Sequence, residues 1–155
     1  MAISETDAPS LRGIHVLEYP YRRSLGPVLT RFFSSLRERR IEGVRTPSGR
    51  VLVPPEEYDP ETASALSDFV EVGPEGRVET WCWVARPRPG QPLEHPFAFA
   101  LIRLDGADTG LLHAVDAGAP ERMRTGLRVR PRWAAEPSGG IRDIECFEPA
   151  GGGEG

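Results

Sequence analysis

The sequence predicts a mainly β protein: an OB-like five-stranded barrel, preceded by an N-terminal helix and a ribbon-like segment without metal ligands. Three observations lead to this fold class. After residue 66, short apolar runs alternate with Gly- and Pro-rich turns and no helical periodicity intervenes. One amphipathic helix precedes these runs. Between the two parts lie two tight turns spaced like the knuckles of a zinc ribbon. A chain of 155 residues suffices for one domain with a small appended element.

The helix is predicted from Ser24 to Arg40. Its apolar residues recur at i, i+3, i+4, i+7, i+8 and i+11, which makes one broad stripe. The stripe consists of Leu25, Val28, Leu29, Phe32, Phe33 and Leu36. Ser24 stands where an N-cap is expected. Residues 13–21 ahead of it are apolar, aromatic and interrupted by Pro20, which predicts an extended arm. The stripe needs a covering surface, which is either the chain's own barrel or another chain.

The ribbon-like segment, residues 45–62, reads RTPSGRVLVPPEEYDPET. Its two turns, at 46–49 and 58–60, flank a short apolar strand. Zinc ribbons carry a thiol pair in each turn, whereas the only cysteines here, Cys82 and Cys146, lie far downstream. We therefore expect no zinc and no cofactor. Each cysteine falls in a strand-like run and is predicted to be a buried, unreactive thiol.

The remainder of the chain is predicted to be strands. The strand-like runs are 68–72, 77–85, 97–104, 111–116, 127–134 and 141–147. Two hairpins are predicted, one around the turn at 105–110 and one around 136–140. The turn DGADTG (105–110) lacks the spaced acids of a calcium loop. The expected organisation is an arm and helix (1–43), a degenerate zinc-ribbon-like segment (44–65), an OB barrel (66–149) and a disordered tail (150–155).

Charge is distributed unevenly along the chain. All 19 basic residues are arginine, and with 23 acids the formal charge is −4. Residues 1–50 hold 9 arginines against 5 acids, and the rest hold 10 against 18. The acidic barrel makes nucleic acid an unlikely partner, since such modules need a basic reading face. No apolar run approaches the roughly 20 residues of a membrane span, and no signal-peptide h-region is present. This predicts a soluble, cytoplasmic protein without membrane contact.

No catalytic constellation emerges from the residues. His113 precedes Asp116 by three positions, which in a strand places the two on opposite faces and weakens a His–Asp relay. An enzyme with His113 or Asp116 as its base remains an alternative. The arginines of the basic third could receive phosphates. The competing interpretation is a solvated helix face, because no glycine-rich phosphate loop is present.

Four aromatic residues alternate along two predicted strands: Trp81, Trp83, Phe97 and Phe99. Such a row can be a base-stacking platform in an OB-fold that binds single-stranded nucleic acid. It can equally fill one face of the barrel or a protein interface, and the acidic surroundings favour these two.

The order of elements resembles the OB-fold acyl-CoA-associated family (domain of unknown function 35, DUF35), over about residues 13–149. The resemblance rests on the helix and on GRVLVPP (49–55), YDP (58–60), WCWV (81–84), PFAFALIRLDG (96–106) and FEP (147–149). The family implies an N-terminal helix, a rubredoxin-like zinc ribbon and an OB barrel. This chain departs from it where zinc-binding members have cysteines. In those places stand Arg45 or Thr46, Ser48, Asp59, and Thr62 or Glu61.

With EYDP and LDGADTGLLHAVDAG, the chain is similar to a cysteine-less subgroup paired with thiolase-like, lipid-transfer-protein-like aldolases of steroid side-chain degradation. The resemblance implies a non-catalytic subunit in a hetero-oligomer. It would bind the aldolase and support its retro-aldol cleavage of a β-hydroxyacyl-CoA thioester, a steroid side-chain CoA ester. The alternatives are an accessory protein of a different acyl-CoA enzyme (thiolase or hydratase) and a module that binds single-stranded nucleic acid.

Two sets of candidate site residues accompany this interpretation. The partner-interface candidates are Leu25, Val28, Phe32, Phe33, Tyr58 and Asp59. The candidates facing the acyl-CoA at or near the interface are Arg37, Arg40, Arg45, Arg50 and His113.

Overall fold

A computed structural model describes residues 12–22 and 24–151. Its elements are α1 (Pro27–Arg37), β1 (Ile41–Arg45), β2 (Val51–Leu52), β3 (Asp68–Val72), β4 (Gly76–Val84), β5 (Phe97–Leu104), β6 (Leu111–Val115), β7 (Arg128–Trp133) and β8 (Ile144–Pro149). Short 3-10 turns occupy Pro120–Arg122 and Ile141–Asp143. No helix within the described ranges is long and apolar enough to cross a membrane. The end of the predicted tail, from residue 152, lies outside the described residues.

The strands form two sheets, and the larger one closes on itself. Strands β4-β5-β6-β8-β7 make the barrel, and β2-β1-β3 make an antiparallel three-stranded sheet. The two predicted hairpins are present as the antiparallel pairs β5–β6 and β7–β8. The barrel closes through the parallel contact of β6 with β8 at Val115 and Phe147. This confirms the predicted fold class, a mainly β protein with an OB-like barrel and one N-terminal helix.

Strand β4 departs from strict alternation. Its register with β5 shifts between Val78 and Thr80, which is a β-bulge. One extra residue moves every later side chain to the opposite face. Trp81 and Trp83 consequently pack against the core cluster, and Cys82 lies on the exposed side. The prediction of a buried Cys82 is therefore wrong.

The second cysteine behaves as expected. Cys146 in β8 is buried, with 0 % of its surface exposed. Burial is the main cause that raises the pKa of its thiol to about 12. The thiol therefore stays protonated and unreactive at neutral pH.

The helix begins three residues later than predicted and is capped from a distance. Gly26 is the N-cap, and Ser24 makes no capping hydrogen bond. The backbone N–H of Val28 instead donates to Oε1 of Glu57 at 3.1 Å. Pro27 suits the first helical turn, where its missing N–H costs nothing. At the other end Arg39 has a left-handed φ of 60°, which terminates the helix before the predicted Arg40.

The apolar stripe of α1 packs on the chain's own core. Phe32 and Leu36 are 1 % and 0 % exposed and belong to a cluster with Ile41, Val53 and barrel side chains. Of the two covering surfaces that the sequence allowed, the barrel and its adjoining sheet are the one observed.

Candidate interaction site

The first turn of the ribbon-like segment is closed by hydrogen bonds in place of a metal. Thr46 is buried, and its N–H donates to the carbonyl of Arg50 at 2.8 Å. Its Oγ1 accepts the N–H of Arg50 at 3.1 Å and contacts Oγ of Ser48 at 2.9 Å. Gly49, with φ of 89°, supplies the left-handed position that the turn requires. Thr46 is thus the central hydrogen-bonding residue of this turn.

The second turn is closed in the same manner by Asp59. Its Oδ1 accepts the N–H of Glu61 at 3.2 Å, and its Oδ2 accepts the hydroxyl of Thr62 at 2.7 Å. The backbone of Asp59 also pairs with Ala63 and Ser64, both at 2.8 Å. Asp59 is 2 % exposed, so its carboxylate is used inside its own loop. This corrects its assignment to a partner interface.

The donor set of these two turns does not suit Zn²⁺, which structural sites hold with Cys and His. The side-chain oxygens of Thr46 and Asp59 already accept hydrogen bonds within the turns. Among the described residues, no group of three or more His, Cys, Asp or Glu is placed to hold a metal ion. The two turns are joined by an exposed ion pair, in which Nη1 of Arg50 lies 3.4 Å from Oε1 of Glu61.

The DGADTG turn fastens the ribbon-like segment to the barrel. The N–H of Val51 donates to Oδ2 of Asp108 at 2.8 Å, and the N–H of Asp108 donates to the carbonyl of Val51 at 2.8 Å. Oγ1 of Thr109 accepts the N–H of Val53 at 2.7 Å and donates to its carbonyl at 3.0 Å. These four bonds satisfy the outer edge of β2. The turn therefore has a structural role beyond closing its own hairpin.

The remaining interface candidates divide into buried and exposed residues. Val28 and Phe32 are 3 % and 1 % exposed, which corrects their assignment, since their side chains fill the chain's own core. Phe33 is partly buried against the same cluster. Leu25 and Tyr58 are 51 % and 62 % exposed. Of the six candidates, these two are the ones that offer a large accessible apolar surface.

The arginine candidates do not converge on one site. Arg40 and Arg45 flank β1 at its two ends, about 17 Å apart along a strand of 3.4 Å per residue. Arg37 lies exposed at the end of α1. The others face acids: Arg40 lies 3.5 Å from Glu42 and 3.8 Å from Glu71, Arg45 lies 3.4 Å from Asp68, and Arg50 pairs with Glu61. The structure therefore places no common arginine pocket at these positions.

His113 is a core residue. It is 8 % exposed, and its ring stacks edge-on against Phe147 with centroids 5.4 Å apart. Nδ1 accepts the N–H of Ala114 at 2.9 Å. Burial lowers the pKa of the imidazole, opposed by backbone contacts with Ile141 and Ala114. His113 is thus a neutral structural side chain at pH 7, which corrects its assignment as a residue that faces acyl-CoA.

Residues 69–134, which contain most of the barrel, match the family model described as ChsH2, C-terminal OB-fold domain. A solved Sulfolobus solfataricus protein of unknown function from the DUF35 family is similar, with 25 % identity and a TM-score of 0.57. The match covers 69 % of this chain and 77 % of that one. The barrel is therefore similar to the OB-fold domain of DUF35 proteins.

A second solved structure, described as the Ltp2-ChsH2(DUF35) aldolase, shares the fold. It has 24 % identity and a TM-score of 0.60, and the match covers 83 % of this chain and 98 % of that chain. No curated protein sequence matches. The DUF35 resemblance is confirmed by these matches. Membership in the cysteine-less subgroup stays a prediction, since two cysteines are present, both outside the turns.

Asp116 has a partner that the sequence did not reveal. Its Oδ2 lies 3.1 Å from Nε2 of His95 and 3.2 Å from Nη1 of Arg132. An adjoining polar cleft of about 320 Å³ is lined by residues that include Arg130 and Glu148, which pair with each other at 3.1 Å. His95 is 21 positions away in a Pro-rich loop, and only the β5–β6 hairpin brings the two together.

The pairing of Asp116 decides what its carboxylate can do. With His95 on one side and Arg132 on the other, it fastens the loop that precedes β5 to the barrel wall. A carboxylate that already accepts two hydrogen bonds from Arg132, and that lies beside His95, is poorly placed to take a substrate proton. The geometry thus favours a structural role for Asp116, which holds the loop before β5 against the barrel.

Proposed function

We propose that this chain is a non-catalytic OB-fold subunit that binds a thiolase-like aldolase and supports its retro-aldol cleavage of a β-hydroxyacyl-CoA thioester. The substrate class that the resemblance implies is a steroid side-chain CoA ester. The catalytic groups belong to the aldolase, and this chain completes the assembly.

One observation carries the proposal: residues 69–134 match the OB-fold domain of ChsH2. The name ChsH2 also occurs in a solved assembly described as an aldolase. Because that structure is 24 % identical, it supports the fold, and the proposed link to an aldolase rests on the shared name ChsH2 together with the resemblance of the sequence motifs.

The placement of the candidate bases also supports an accessory role. His113 is buried beside Phe147, and Asp116 is engaged by His95 and Arg132. A general base must come within about 3 Å of the proton that it removes. Asp116 lines the polar cleft, but its carboxylate is occupied by Arg132, and His113 is only 8 % exposed. The alternative of a stand-alone acyl-CoA enzyme therefore receives no support from these positions.

The test is co-expression of the full chain with a thiolase-like aldolase encoded beside it. Size-exclusion chromatography with light scattering should give one hetero-oligomeric peak. The complex should cleave a β-hydroxyacyl-CoA, and each protein alone should show little or no turnover. The same preparation of this chain is assayed for binding to a single-stranded oligonucleotide at low salt, where phosphate-driven affinity is greatest.

Separate elution of the two proteins would contradict the proposal. So would full aldolase activity without this chain. A salt-sensitive gel shift with the oligonucleotide would favour the nucleic-acid alternative instead.

A further inference from the structure

The arm ahead of the helix exposes a large apolar surface. Residues 12–22 form no regular secondary structure, and every one of them is exposed. Five of them are large and apolar, with exposed fractions of 67–97 %: Ile14, Val16, Leu17, Tyr19 and Tyr21. Since one aromatic side chain can bury 150–250 Å², the two tyrosines at about 70 % exposure present roughly 200–350 Å², and the three aliphatic side chains enlarge this surface further. Monomeric soluble proteins rarely expose contiguous apolar patches much larger than a few hundred Å².

The shape of the arm suits recognition of an extended peptide. Leu17 and Tyr19 are two positions apart, so an extended backbone presents them on one side, and the bend after Tyr19 places Tyr21 beside it. The rings of Tyr19 and Tyr21 lie 6.3 Å apart in an edge-on arrangement. The N–H of Tyr21 donates to the carbonyl of Tyr19 at 2.8 Å, which forms a tight bend at Pro20. Side chains that alternate along an extended segment fit a row of pockets in a groove.

The arm leads to the end of the helix where the two exposed interface candidates lie. Leu25 follows the arm in sequence just before the helix begins, and it is 51 % exposed. Tyr58 is 62 % exposed and follows Glu57, whose carboxylate is bonded to the N–H of Val28. The helix cap therefore brings Tyr58 to the same end of the helix as Leu25. Leu25 and Tyr58 are thus two exposed apolar side chains at the end of the helix to which the arm leads.

We propose that this arm surface, defined as residues 13–21 with Leu25 and Tyr58 at their base, lies in an apolar groove of the catalytic subunit. This inference rests on the proposed function and names the part of the chain that makes the contact. This surface would supply a substantial part of the roughly 800 Å² per partner that a specific interface buries. The two tyrosines suit such a groove because each combines a large apolar ring with a polar tip.

A groove on a second copy of this chain fits the arm less well. The apolar cleft on the barrel wall, lined by residues that include Phe99, Leu112 and Ile141, holds about 160 Å³. That is the volume of about five water molecules, which accommodates one or two large side chains and not five. The arm requires a longer groove, and the catalytic subunit is the partner that the proposed function supplies.

The experiment compares three full-length proteins. The arm variant carries Leu17→Ala, Tyr19→Ala and Tyr21→Ala, all at exposed positions. The matched control is Leu112→Ala, which removes an equally exposed apolar side chain (62 %) from the barrel wall. Affinity for the thiolase-like aldolase is measured by isothermal titration calorimetry, and thermal unfolding of each free variant is recorded. Hydrogen exchange of residues 13–21 is measured with and without the aldolase.

We expect the arm variant to bind at least 100-fold more weakly, because aromatic anchors carry a large share of interface energy. The control should bind like the natural chain, all three should unfold at the same temperature, and the arm amides should gain protection in the complex.

Equal binding by the arm variant and the natural chain, with no protection of residues 13–21, overturns the inference and leaves the proposed function standing. Absence of binding by the natural chain overturns both. If the natural chain alone forms a dimer that the arm substitutions dissociate, the arm serves a second copy and the inference is wrong.

Discussion

Asp108 and Val51 are joined by two reciprocal hydrogen bonds of 2.8 Å, from backbone N–H to carboxylate and from backbone N–H to carbonyl. Asp108 lies in the hairpin turn between β5 and β6, and Val51 begins β2. A turn of the barrel thereby acts as an additional edge partner for the ribbon-like sheet. The segment that a metal stabilises in related ribbons is here held by the barrel and by its own side chains.

Replacement of Asp108 by Ala should therefore weaken the whole fold. The N–H of the buried Val51 would lose its acceptor, and an unsatisfied buried donor costs about 1–3 kcal/mol. We expect the free energy of unfolding in urea to fall by that amount. Asp68→Ala is the matched control. It removes an exposed carboxylate that lies 3.4 Å from Arg45 and should cost at most about 0.5 kcal/mol. Equal losses in the two variants would contradict this role of Asp108.

The hydrogen bond by which Glu57 caps α1 predicts a loss of stability in two different variants. Glu57→Ala removes the acceptor of the Val28 N–H and should cost about 1 kcal/mol. Gly26→Ala acts on the same carboxylate, because a Cβ at Gly26 would collide with Oε1 of Glu57 and would displace it.

The two substitutions should be clearly less than additive when combined, as for residues that share one interaction. Chemical denaturation of the single and double variants measures this. Glu56→Ala, at an exposed neighbouring position, is the control and should change stability little. Full additivity would refute a shared cap.

Stability should decrease in acid through Glu42. This carboxylate is 6 % exposed. Its pKa is lowered by the hydrogen bond from Arg31, opposed by burial and aided by Ser35 and Arg40. A lowered pKa in the folded state contributes stability above the unfolded value of 4.5. That contribution is lost as the pH falls through the folded value.

Glu42→Gln should accordingly be less stable than the natural chain by roughly 1–2 kcal/mol at pH 7. The difference should shrink as the pH falls from 5 toward 3 in urea titrations. Both proteins retain the dependence of stability on pH that Asp105 contributes, because the hydrogen bond from Arg128 lowers the pKa of that carboxylate. Glu71→Gln, at an exposed carboxylate 3.8 Å from Arg40, should show no such pH-dependent difference. If the difference in unfolding free energy between Glu42→Gln and the natural chain stayed constant from pH 7 to pH 3, this role of Glu42 would be wrong.

Because hydrogen bonds close the two turns, we expect the removal of metal to leave the stability of the protein unchanged. Purified protein should contain far less than one zinc per chain by mass spectrometry of the metal. A chelator should leave the unfolding temperature unchanged, whereas structural zinc sites carry folding free energy outright. Thr46→Val keeps the size of the side chain but removes the hydroxyl that accepts the N–H of Arg50. This variant should lower the unfolding temperature by a few degrees. Stoichiometric zinc in the purified protein would overturn this interpretation.

The sequence predicted the local elements well because each carries its own periodicity. Residues 68–72 and 97–104 were placed with the bounds that the structure has, since their β-branched and aromatic residues stand between clear turn signals. The helix stripe was likewise evident. Its ends were not, because the cap comes from Glu57, 29 residues from the N–H that it accepts. No window of local sequence contains that contact.

The candidate site was predicted less well, because residue type does not reveal exposure. Phe32 and Leu25 belong to the same predicted stripe, yet one is 1 % and the other 51 % exposed. Their exposures differ because Leu25 precedes the helix, whereas Phe32 lies on the helix face that packs on the core. Asp116 was weighed against the nearby His113, and its actual neighbour His95 lies 3.1 Å away across a hairpin.

By itself the sequence determined the mainly β class, the single amphipathic helix, the extended arm, the absence of thiols from the two turns and the resemblance to DUF35. These depend on residue types and spacings along the chain. Only the tertiary structure decided that the helix covers its own core, that Thr46 and Asp59 close the turns, and that Asp108 ties β2 to the barrel. Each of these features depends on contacts at hydrogen-bond or van der Waals distance. Those contacts form only when the folded chain brings the groups together.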